Sequence, residues 1–333
     1  MEPRPDVAVV IPSWNSRDLL ARCLDSLVGQ DVALEVIVVD NGSRDGSLEL
    51  LAERGIRHLD FPDNRGFAVA VNRGVEATRA PSLLSLNADT ELAPGAVAVM
   101  MAALDADPGL GGVAPRILQL EGESRDADAA RLYSVGQALT ADGRAVELGA
   151  GKRSGPDAAQ TAEVFGVCGA ACLLRREMFE RLGGYDESYF AFYEDVDLNV
   201  RGRILGWRFA YVPEAVVWHL GNASWQAEAP SPSAWNARLV ARNRIATQAK
   251  FMPAAALPRI AAVEAGSVAR AARADRLGAT LRGKLEGIGR LPRSRRDRRA
   301  LRAAGDLALV RRWLGSAAGQ HHFAGDGDAV TRR

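Results

Sequence analysis

Amide and acidic side chains that could hold a cation or a phosphate stand directly after a short apolar run of the sequence. The segment Ser85–Thr90 reads Ser-Leu-Asn-Ala-Asp-Thr and follows the apolar pair Leu83–Leu84. A carboxylate at this point lies at the carboxyl end of a buried strand, where open α/β sheets bind their ligands. Mg²⁺ typically takes one or two carboxylates together with substrate phosphates. Asp89, with Asn87 beside it, is therefore a candidate metal and diphosphate site, although a single Asp more often caps a helix or closes a turn.

Polar side chains also follow two other apolar runs. Ser13 and Asn15 come after the run Val7–Ile11, and Asp40 comes after the run Val36–Val39. The carboxyl ends of parallel strands meet at one edge of a sheet, so these groups should converge on one crevice with the first site.

The elements that must position these residues alternate along the first third of the chain. Continuous apolar runs, typical of buried parallel strands, are followed by segments with apolar residues at helical spacing, such as Leu19–Val28. This alternation predicts an α/β fold with a doubly wound, mostly parallel sheet flanked by helices. The glycine patterns of dinucleotide-binding and P-loop proteins are absent, so those two classes lose their main support.

A second acidic group lies further along the chain. The aromatic-rich segment Tyr185–Tyr193 leads into Glu194 and Asp195, which open a predicted helix. Acidic residues often stand in a first helical turn only because they satisfy its free N–H groups. Upstream, the apolar run Val164–Leu174 contains two glycines, one of them Gly169, and predicts a strand whose backbone another group approaches closely.

Two further features complete the predicted elements. Ser134–Thr140 and Arg144–Leu148 read as the strands of a hairpin joined by Ala-Asp-Gly. Trp207–Val212 and Ala215–Trp218 read as two strands, and His219 stands at the end of the second.

Composition limits the class of protein. The 333 residues are 47% apolar, enough for one large or two ordinary domains. Three scattered cysteines argue against a disulfide framework and indicate a reducing compartment, and zinc is not expected because Cys168 and Cys172 lack further ligands nearby. The polar start of the sequence and the lack of a long apolar run predict a soluble or peripheral cytoplasmic protein.

Charge is distributed unevenly. The net charge of the chain is +1, but residues 257–312 contain 15 Lys and Arg against 5 Asp and Glu. This segment is densest at Arg290–Arg299, and an anionic membrane attracts such segments. We expect peripheral docking of Arg259–Arg312 at the inner face of the plasma membrane, with a solvated, partly disordered appendage as the alternative.

Five motifs in a fixed order carry a resemblance to a known family. They are Val9-Val10-Ile11-Pro12-Ser13-Trp14-Asn15, Val38-Val39-Asp40-Asn41-Gly42-Ser43, Asn64-Arg65-Gly66-Phe67, Leu86-Asn87-Ala88-Asp89 and Phe192-Tyr193-Glu194-Asp195-Val196-Asp197-Leu198. Over residues 6–225 the chain closely resembles family 2 inverting glycosyltransferases of the GT-A fold, and most of all bacterial rhamnosyltransferases.

The resemblance implies a role for each matching residue. The implied substrate-binding residues are Pro12, Ser13, Asn15, Asp40, Asn64, Arg65, Gly66 and Asn87, with Asp40 reading a pyrimidine ring. Gly169 lies outside the five motifs and is a further substrate-binding candidate because of the close backbone approach expected there. Asp195 matches the catalytic base, with Glu194 beside it, and Asp89 and His219 match ligands of a divalent metal, Mg²⁺ or Mn²⁺. The chain departs from the D-x-D pattern at Asn87, which keeps an acceptor oxygen but loses a charge. Metal binding is therefore expected either to be weaker or to rest on Asp89, His219 and the diphosphate alone.

The function implied is transfer of a sugar from a dTDP- or UDP-sugar donor, with dTDP-rhamnose favoured, to a glycan or lipid-linked acceptor of cell-surface polysaccharide synthesis. A catalytically silent nucleotide-binding or nucleic-acid-binding protein with a GT-A-like fold is the alternative. The arginines of the tail favour it slightly, but they lack interleaved aromatic residues, so we expect no nucleic acid partner. A nucleotidyltransferase would need a Gly-, Arg- or Lys-rich first turn, which Pro12–Asn15 is not.

The resulting domain prediction has three parts. Residues 1–225 form the nucleotide-sugar-binding and catalytic domain, residues 226–256 a helical closing segment, and residues 257–333 a basic tail that is either partly helical or disordered. Within the closing segment, Arg242 and Arg244 are expected on a solvated helix face, with an arginine that faces the diphosphate as the alternative. The end of the chain, residues 317–333, is expected to be disordered.

Overall fold

The computed structural model describes residues 5–220, 232–306, 308–311 and 313–314. Its strands are β1 (Val7–Ser13), β2 (Leu34–Asp40), β3 (His58–Asp60), β4 (Ser82–Leu86), β5 (Thr90–Leu92), β6 (Leu110–Gln119), β7 (Leu132–Ser134), β8 (Gln137–Leu139), β9 (Ala145–Glu147), β10 (Ala162–Val164), β11 (Ala171–Arg175) and β12 (Arg208–His219). Its α-helices are α1 (Arg17–Ser26), α2 (Ser47–Glu53), α3 (Phe67–Glu76), α4 (Ala96–Ala106), α5 (Arg176–Arg181), α6 (Glu194–Ile204), α7 (Pro232–Phe251), α8 (Leu257–Arg273), α9 (Leu277–Gly289), α10 (Leu291–Ala304) and α11 (Ala308–Arg311).

A central sheet organises the amino-terminal part of the chain. Its strand order is β10-β12-β6-β11-β4-β1-β2-β3, with β5 paired to β12 and β7 paired to β6. The sheet contains two groups of parallel strands. One group is β4, β1, β2 and β3, and the other is β12 and β6. Strand β11 enters antiparallel between β4 and β6. The predicted α/β sheet flanked by helices is confirmed, with antiparallel strands added around its parallel core.

Burial on both faces explains why the first strands are continuously apolar. All five residues of Val7–Ile11 are buried, with alternate side chains entering two separate hydrophobic clusters. Helix α3 packs against β1 and β2. At Gly74 of α3 a side chain would collide with Val10, so the glycine permits this close approach.

Three element predictions were tested in the middle of the chain. The hairpin is confirmed as β8 and β9, paired antiparallel. The single strand predicted over Val164–Leu174 is wrong, because β10 and β11 lie in different parts of the sheet and a loop through Gly169 joins them. The two strands predicted before His219 are one strand, β12, whose pairing with β6 is interrupted by a bulge between Val212 and Val216.

The carboxyl-terminal region is a helical layer in the residues described. Helices α9 and α10 pack on α7, so the predicted helical extension is confirmed. The expected solvated face is wrong: Arg242 and Arg244 are buried, and Arg244 forms an ion pair with Glu264 of α8. Residues 317–333 lie outside the described part. Among the described residues, every helix is too short or too polar to span a bilayer.

A buried charge cluster joins the two parts of the chain. Asp197 of α6 is fully buried and accepts from Lys250 Nζ at 2.6 Å and from Arg201 Nε at 2.6 Å. Lys250 also lies 3.3 Å from Asp186. Because a buried carboxylate needs such partners, the third acidic residue of the Glu-Asp-Val-Asp motif anchors α7 against the sheet domain.

This cluster yields a stability prediction. Lys250→Met removes one partner and leaves Asp197 less compensated, so the free energy of unfolding should fall by about 3–5 kcal/mol. The matched control Arg282→Met removes an exposed arginine that pairs with Glu286 and should cost less than about 1 kcal/mol. Urea denaturation followed by circular dichroism measures both. Equal losses for the two variants would contradict a structural role for the buried pair.

Candidate functional site

A cavity of about 280 Å³ lies at the carboxyl ends of β1 and β4 and is closed by the start of α6 and the β8–β9 hairpin. Nine of the thirteen site residues predicted from the sequence line it: Pro12, Ser13, Asn64, Asn87, Asp89, Gly169, Glu194, Asp195 and His219. The predicted crevice therefore brings together side chains that are up to two hundred residues apart in sequence.

Strand pairing places Asp89 beside His219. Strand β5 begins immediately after Asp89 and pairs with the end of β12, with Thr90 opposite His219. Asp89 Oδ1 consequently lies 3.2 Å from His219 Nε2, and both residues are buried. The ring of Tyr133 packs edge-on against the imidazole at 4.3 Å between centroids.

These two groups fit a divalent cation. The carboxylate oxygen of Asp89 and the imidazole Nε2 of His219, 3.2 Å apart, are close enough to share one coordination sphere. Mg²⁺ is bound mainly by oxygen, whereas imidazole is a good ligand for first-row transition metals. Asn87 lines the same cavity, and its uncharged side-chain oxygen could serve as a further ligand of the cation.

Asp195 is held at the first turn of α6 by neighbouring donors. Its Oδ2 accepts from the backbone N–H of Gly169 at 2.9 Å and from Gln137 Nε2 at 2.7 Å. Its Oδ1 accepts from the backbone N–H of Val196 at 2.7 Å. The close backbone approach expected at Gly169 is thus made by Asp195. Burial raises the pKa of Asp195, while these hydrogen bonds oppose the rise.

Glu194 differs from Asp195 in its surroundings. Burial, and then the charge of Asp195, raise the pKa of Glu194 well above its usual range. Its Oε2 is buried without a hydrogen-bond partner in the described part of the chain. Of the two carboxyl groups, Asp195 is therefore the one whose charged form receives more hydrogen bonds from fixed donors.

Gln137 and Glu147 of the hairpin belong to the site and were missed by the sequence analysis. Gln137 Nε2 donates to Glu147 Oε1 at 2.8 Å as well as to Asp195, while Gln137 Oε1 accepts from Asn199 Nδ2 at 2.9 Å. Asn199 thereby fixes which end of the Gln137 amide faces the carboxylates. Burial, and then the charge of Asp195, raise the pKa of Glu147 to about 7. The hairpin itself was predictable, but nothing in its sequence indicated that it reaches α6.

The aromatic loop before α6 is held in a strained conformation. Phe190, Phe192 and Tyr193 have φ values of 67°, 67° and 71°, which side-chain-bearing residues rarely adopt. Asn243 Nδ2 of α7 donates to the backbone carbonyls of Ala191 at 2.8 Å and Phe192 at 2.7 Å. Such strain persists only where the surroundings enforce it, and it concentrates at functional sites. Helix α7 therefore shapes one wall of the cavity.

Asp40 and Asn15 were predicted as site residues but do not line the cavity. Asp40 Oδ1 accepts from the backbone N–H groups of Gly42 and Ser43, while its Oδ2 is buried without a partner in the described residues. Asn15 Oδ1 accepts from the backbone N–H of Arg44 at 2.8 Å. Asn15 therefore joins the loops after β1 and β2, whereas Asp40 holds the loop that follows its own strand, β2.

Arg65 and Gly66 also lie outside the cavity wall. Arg65 is exposed, with its guanidinium 5.2 Å from the centre of the Phe61 ring. Gly66 has a φ of 90°, and a Cβ there would lie 2.5 Å from the carbonyl oxygen of Phe190. Glycine at this position lets the loop before α3 meet the aromatic loop.

The sequence of the chain matches a known protein family. The family model "Glycosyl transferase family 2" matches residues 8–183. The N-acetylglucosaminyl-diphospho-decaprenol L-rhamnosyltransferase of Mycobacterium tuberculosis is 29% identical over 236 residues, which is 63% of this chain and 75% of the relative.

Two solved structures share the fold. The mannosyltransferase PcManGT from Pyrobaculum calidifontis, in complex with GDP-Man and Mn²⁺, has a TM-score of 0.52 at 21% identity, over 91% of this chain and 86% of its own. GalNAc-T7 with UDP, GalNAc and Mn²⁺ has a TM-score of 0.55 at 19% identity, over 75% of this chain and 51% of its own. The GT-A fold expected from the motifs is confirmed.

The raised pKa of Glu147 makes stability depend on pH. Between the unfolded value near 4.5 and the folded value of about 7, the folded state retains a proton that the unfolded state has lost, so rising pH lowers the free energy of unfolding. Glu147→Gln removes this contribution. At pH 8 the variant should be more stable relative to the wild type than at pH 4, by about 3 kcal/mol.

Urea titrations at the two pH values measure this difference. The control Glu49→Gln replaces an exposed glutamate of α2 and should give the same difference from wild type at both. A constant difference for Glu147→Gln would show that Glu147 is an ordinary carboxylate and not part of a desolvated pair with Asp195.

Proposed function

The chain belongs to glycosyl transferase family 2, and we propose that it transfers a sugar with inversion from a nucleotide-sugar to a hydroxyl group of a lipid-linked or glycan acceptor in cell-surface polysaccharide synthesis. The observation that carries the proposal is the shared cavity, in which the Asp89–His219 pair and the hydrogen-bonded Asp195 face the same space. A phosphate-binding group and a base at one site are what displacement at an anomeric carbon requires.

The donor is proposed to be dTDP-rhamnose or a related dTDP- or UDP-sugar. Support comes from the relative of Mycobacterium tuberculosis, whose name specifies an L-rhamnosyltransferase. Asp40 remains our candidate for reading the pyrimidine ring, since its neighbour Asn41 lines the cavity and Asp40 keeps one buried oxygen free of partners among the described residues.

Asp195 is the proposed general base. The acceptor hydroxyl is a weak nucleophile, so a carboxylate must take its proton as the oxygen attacks the anomeric carbon. The new C–O bond forms on one face of the sugar while the bond to the diphosphate breaks on the other, so the configuration inverts. Gly169 and Gln137 fix the orientation of the carboxylate, and burial raises its pKa and hence its basicity.

Asp89 and His219 are the proposed ligands of a divalent cation, Mg²⁺ or Mn²⁺. Such a cation, when bound, neutralises the charge that grows on the departing nucleoside diphosphate. Asn87, in place of a second carboxylate, lowers the negative charge at this edge and leaves Asp89 as the acidic ligand there.

The acceptor is proposed to be presented at the inner face of a membrane. The relative of Mycobacterium tuberculosis is named for a decaprenol-linked acceptor, and the basic residues 257–312 would be attracted to anionic lipid. The aromatic loop and the β8–β9 hairpin flank the cavity and are the proposed acceptor-binding walls.

Replacing the base separates catalysis from binding. Asp195→Asn keeps the size of the side chain but cannot take a proton, so transfer should fall by about 10²–10⁴-fold with nearly unchanged donor affinity. Product formation from dTDP-rhamnose and a lipid-linked acceptor measures the first, and calorimetric titration with the donor measures the second. Wild-type turnover in this variant would refute the assignment.

Replacing the metal ligand Asp89 should weaken binding of the donor, whereas replacing Asp195 should slow transfer and leave binding nearly unchanged. Asp89→Ala should weaken donor binding by about tenfold or more in the presence of Mn²⁺ or Mg²⁺, because the cation loses a charged ligand. In the presence of a chelator, the variant and the wild type should bind equally weakly. Identical titrations of the two proteins with metal present would argue against Asp89 as a ligand.

A further inference from the structure

Helix α9 carries its small residues inside and its large aliphatic residues outside. Gly283 and Gly287 are buried against α7, and a Cβ on Gly287 would lie 2.7 Å from the carbonyl oxygen of Arg242. At Gly283 a Cβ would collide with the backbone of Arg238. The two helices therefore approach each other closely through the glycine face of α9, which turns the aliphatic side chains away from the protein.

Four aliphatic residues form the outer face of α9. Leu277, Leu281, Leu285 and Ile288 follow the spacing that places side chains on one side of a helix. Leu281, Leu285 and Ile288 are 42%, 69% and 52% exposed, and Leu277 is also exposed. Single exposed leucines are common, but a contiguous aliphatic stripe on a monomer marks a surface that contacts something else.

Positive charge surrounds this stripe in the sequence and on the neighbouring helix. Residues 257–312 contain 15 basic and 5 acidic residues. Arg295, Arg299 and Arg302 of α10 are exposed and recur at the spacing of one helix face. The segment that carries the stripe thus combines exposed aliphatic groups with exposed cationic groups, which is the composition of segments that lie in a membrane interface.

Other occupants fit this surface less well. A second copy would bring an equally basic surface against it, and like charges repel. Residues 315–333 offer little apolar cover, since they contain only Phe323 and Val330 as large apolar side chains. An anionic bilayer matches both the aliphatic stripe and the surrounding arginines.

We propose that the Leu277–Ile288 face of α9 inserts into the headgroup region of an anionic lipid bilayer, with the arginines of α8–α10 contacting the lipid phosphates. The proposal deepens the proposed function, on which it rests for the presence of a lipid-linked acceptor. It assigns the membrane contact to an apolar stripe, where the sequence had indicated only basic charge.

Vesicle flotation of the full chain tests the stripe. The probe is phosphatidylcholine vesicles with and without phosphatidylglycerol. Leu281→Ser combined with Leu285→Ser should lower partition onto the anionic vesicles by about tenfold or more. The matched control Val28→Ser removes an aliphatic residue that is 81% exposed after α1, and it should bind like the wild type. Equal partition of wild type and double variant, or no partition of the wild type, would overturn the proposal.

A thiol probe reports insertion directly. The three native cysteines are buried and free, so Leu285→Cys supplies an accessible thiol for an environment-sensitive fluorophore. Its emission should shift to the blue on adding anionic vesicles, while the same probe at Val28→Cys should not respond. A blue shift that depends on protein concentration and not on lipid would assign the face to self-association and overturn membrane insertion.

Donor hydrolysis separates this proposal from the proposed function. The double variant should keep the wild-type rate of nucleotide-sugar hydrolysis in solution and lose transfer to an acceptor embedded in vesicles. If the wild type binds vesicles but neither binds nor hydrolyses nucleotide-sugars, the proposed function fails while membrane insertion stands.

Discussion

The structure depends on holding one carboxylate, that of Asp195, among hydrogen-bond donors in a place that disfavours charge. Asp195 lies where burial raises its pKa, and it is held by donors from three separate parts of the chain: Gly169, Gln137 and its own helix. Each donor is itself supported. The loop through Gly169 exists because β10 and β11 lie in different parts of the sheet, and Asn199 orients the amide of Gln137.

The carboxyl-terminal helical layer also holds the site around Asp195 in place. Asp197, two residues after Asp195, is buried and is compensated by Lys250 of α7. The same helix supplies Asn243, which holds the aromatic loop in its strained conformation. Helix α7 thus fixes both the start of α6 and the wall beside it, and α9 packs on its other side through glycine. One layer therefore joins the site to the proposed membrane surface.

Structural features that depend only on a local sequence pattern could be predicted from the sequence. Buried runs such as Val7–Ile11 and polar strand ends such as Asn87 and Asp89 predicted the sheet and its binding edge. Contacts between distant segments could not be predicted, because no local pattern encodes them. Gln137 donates to Asp195, which lies 58 residues further along the chain. Arg242 is buried, although the charged sequence around it indicated a solvated helix face. The outward stripe of α9 was missed because its cause, glycine packing on α7, is a tertiary contact.

The central claim is that one carboxylate, Asp195, assists a single displacement on the donor sugar. The most direct measurement is the anomeric configuration of the product, read by NMR from the coupling at the anomeric position of the transferred sugar. The account predicts a configuration opposite to that in the donor. A product with the donor's configuration would contradict it, because retention requires a different route through the site.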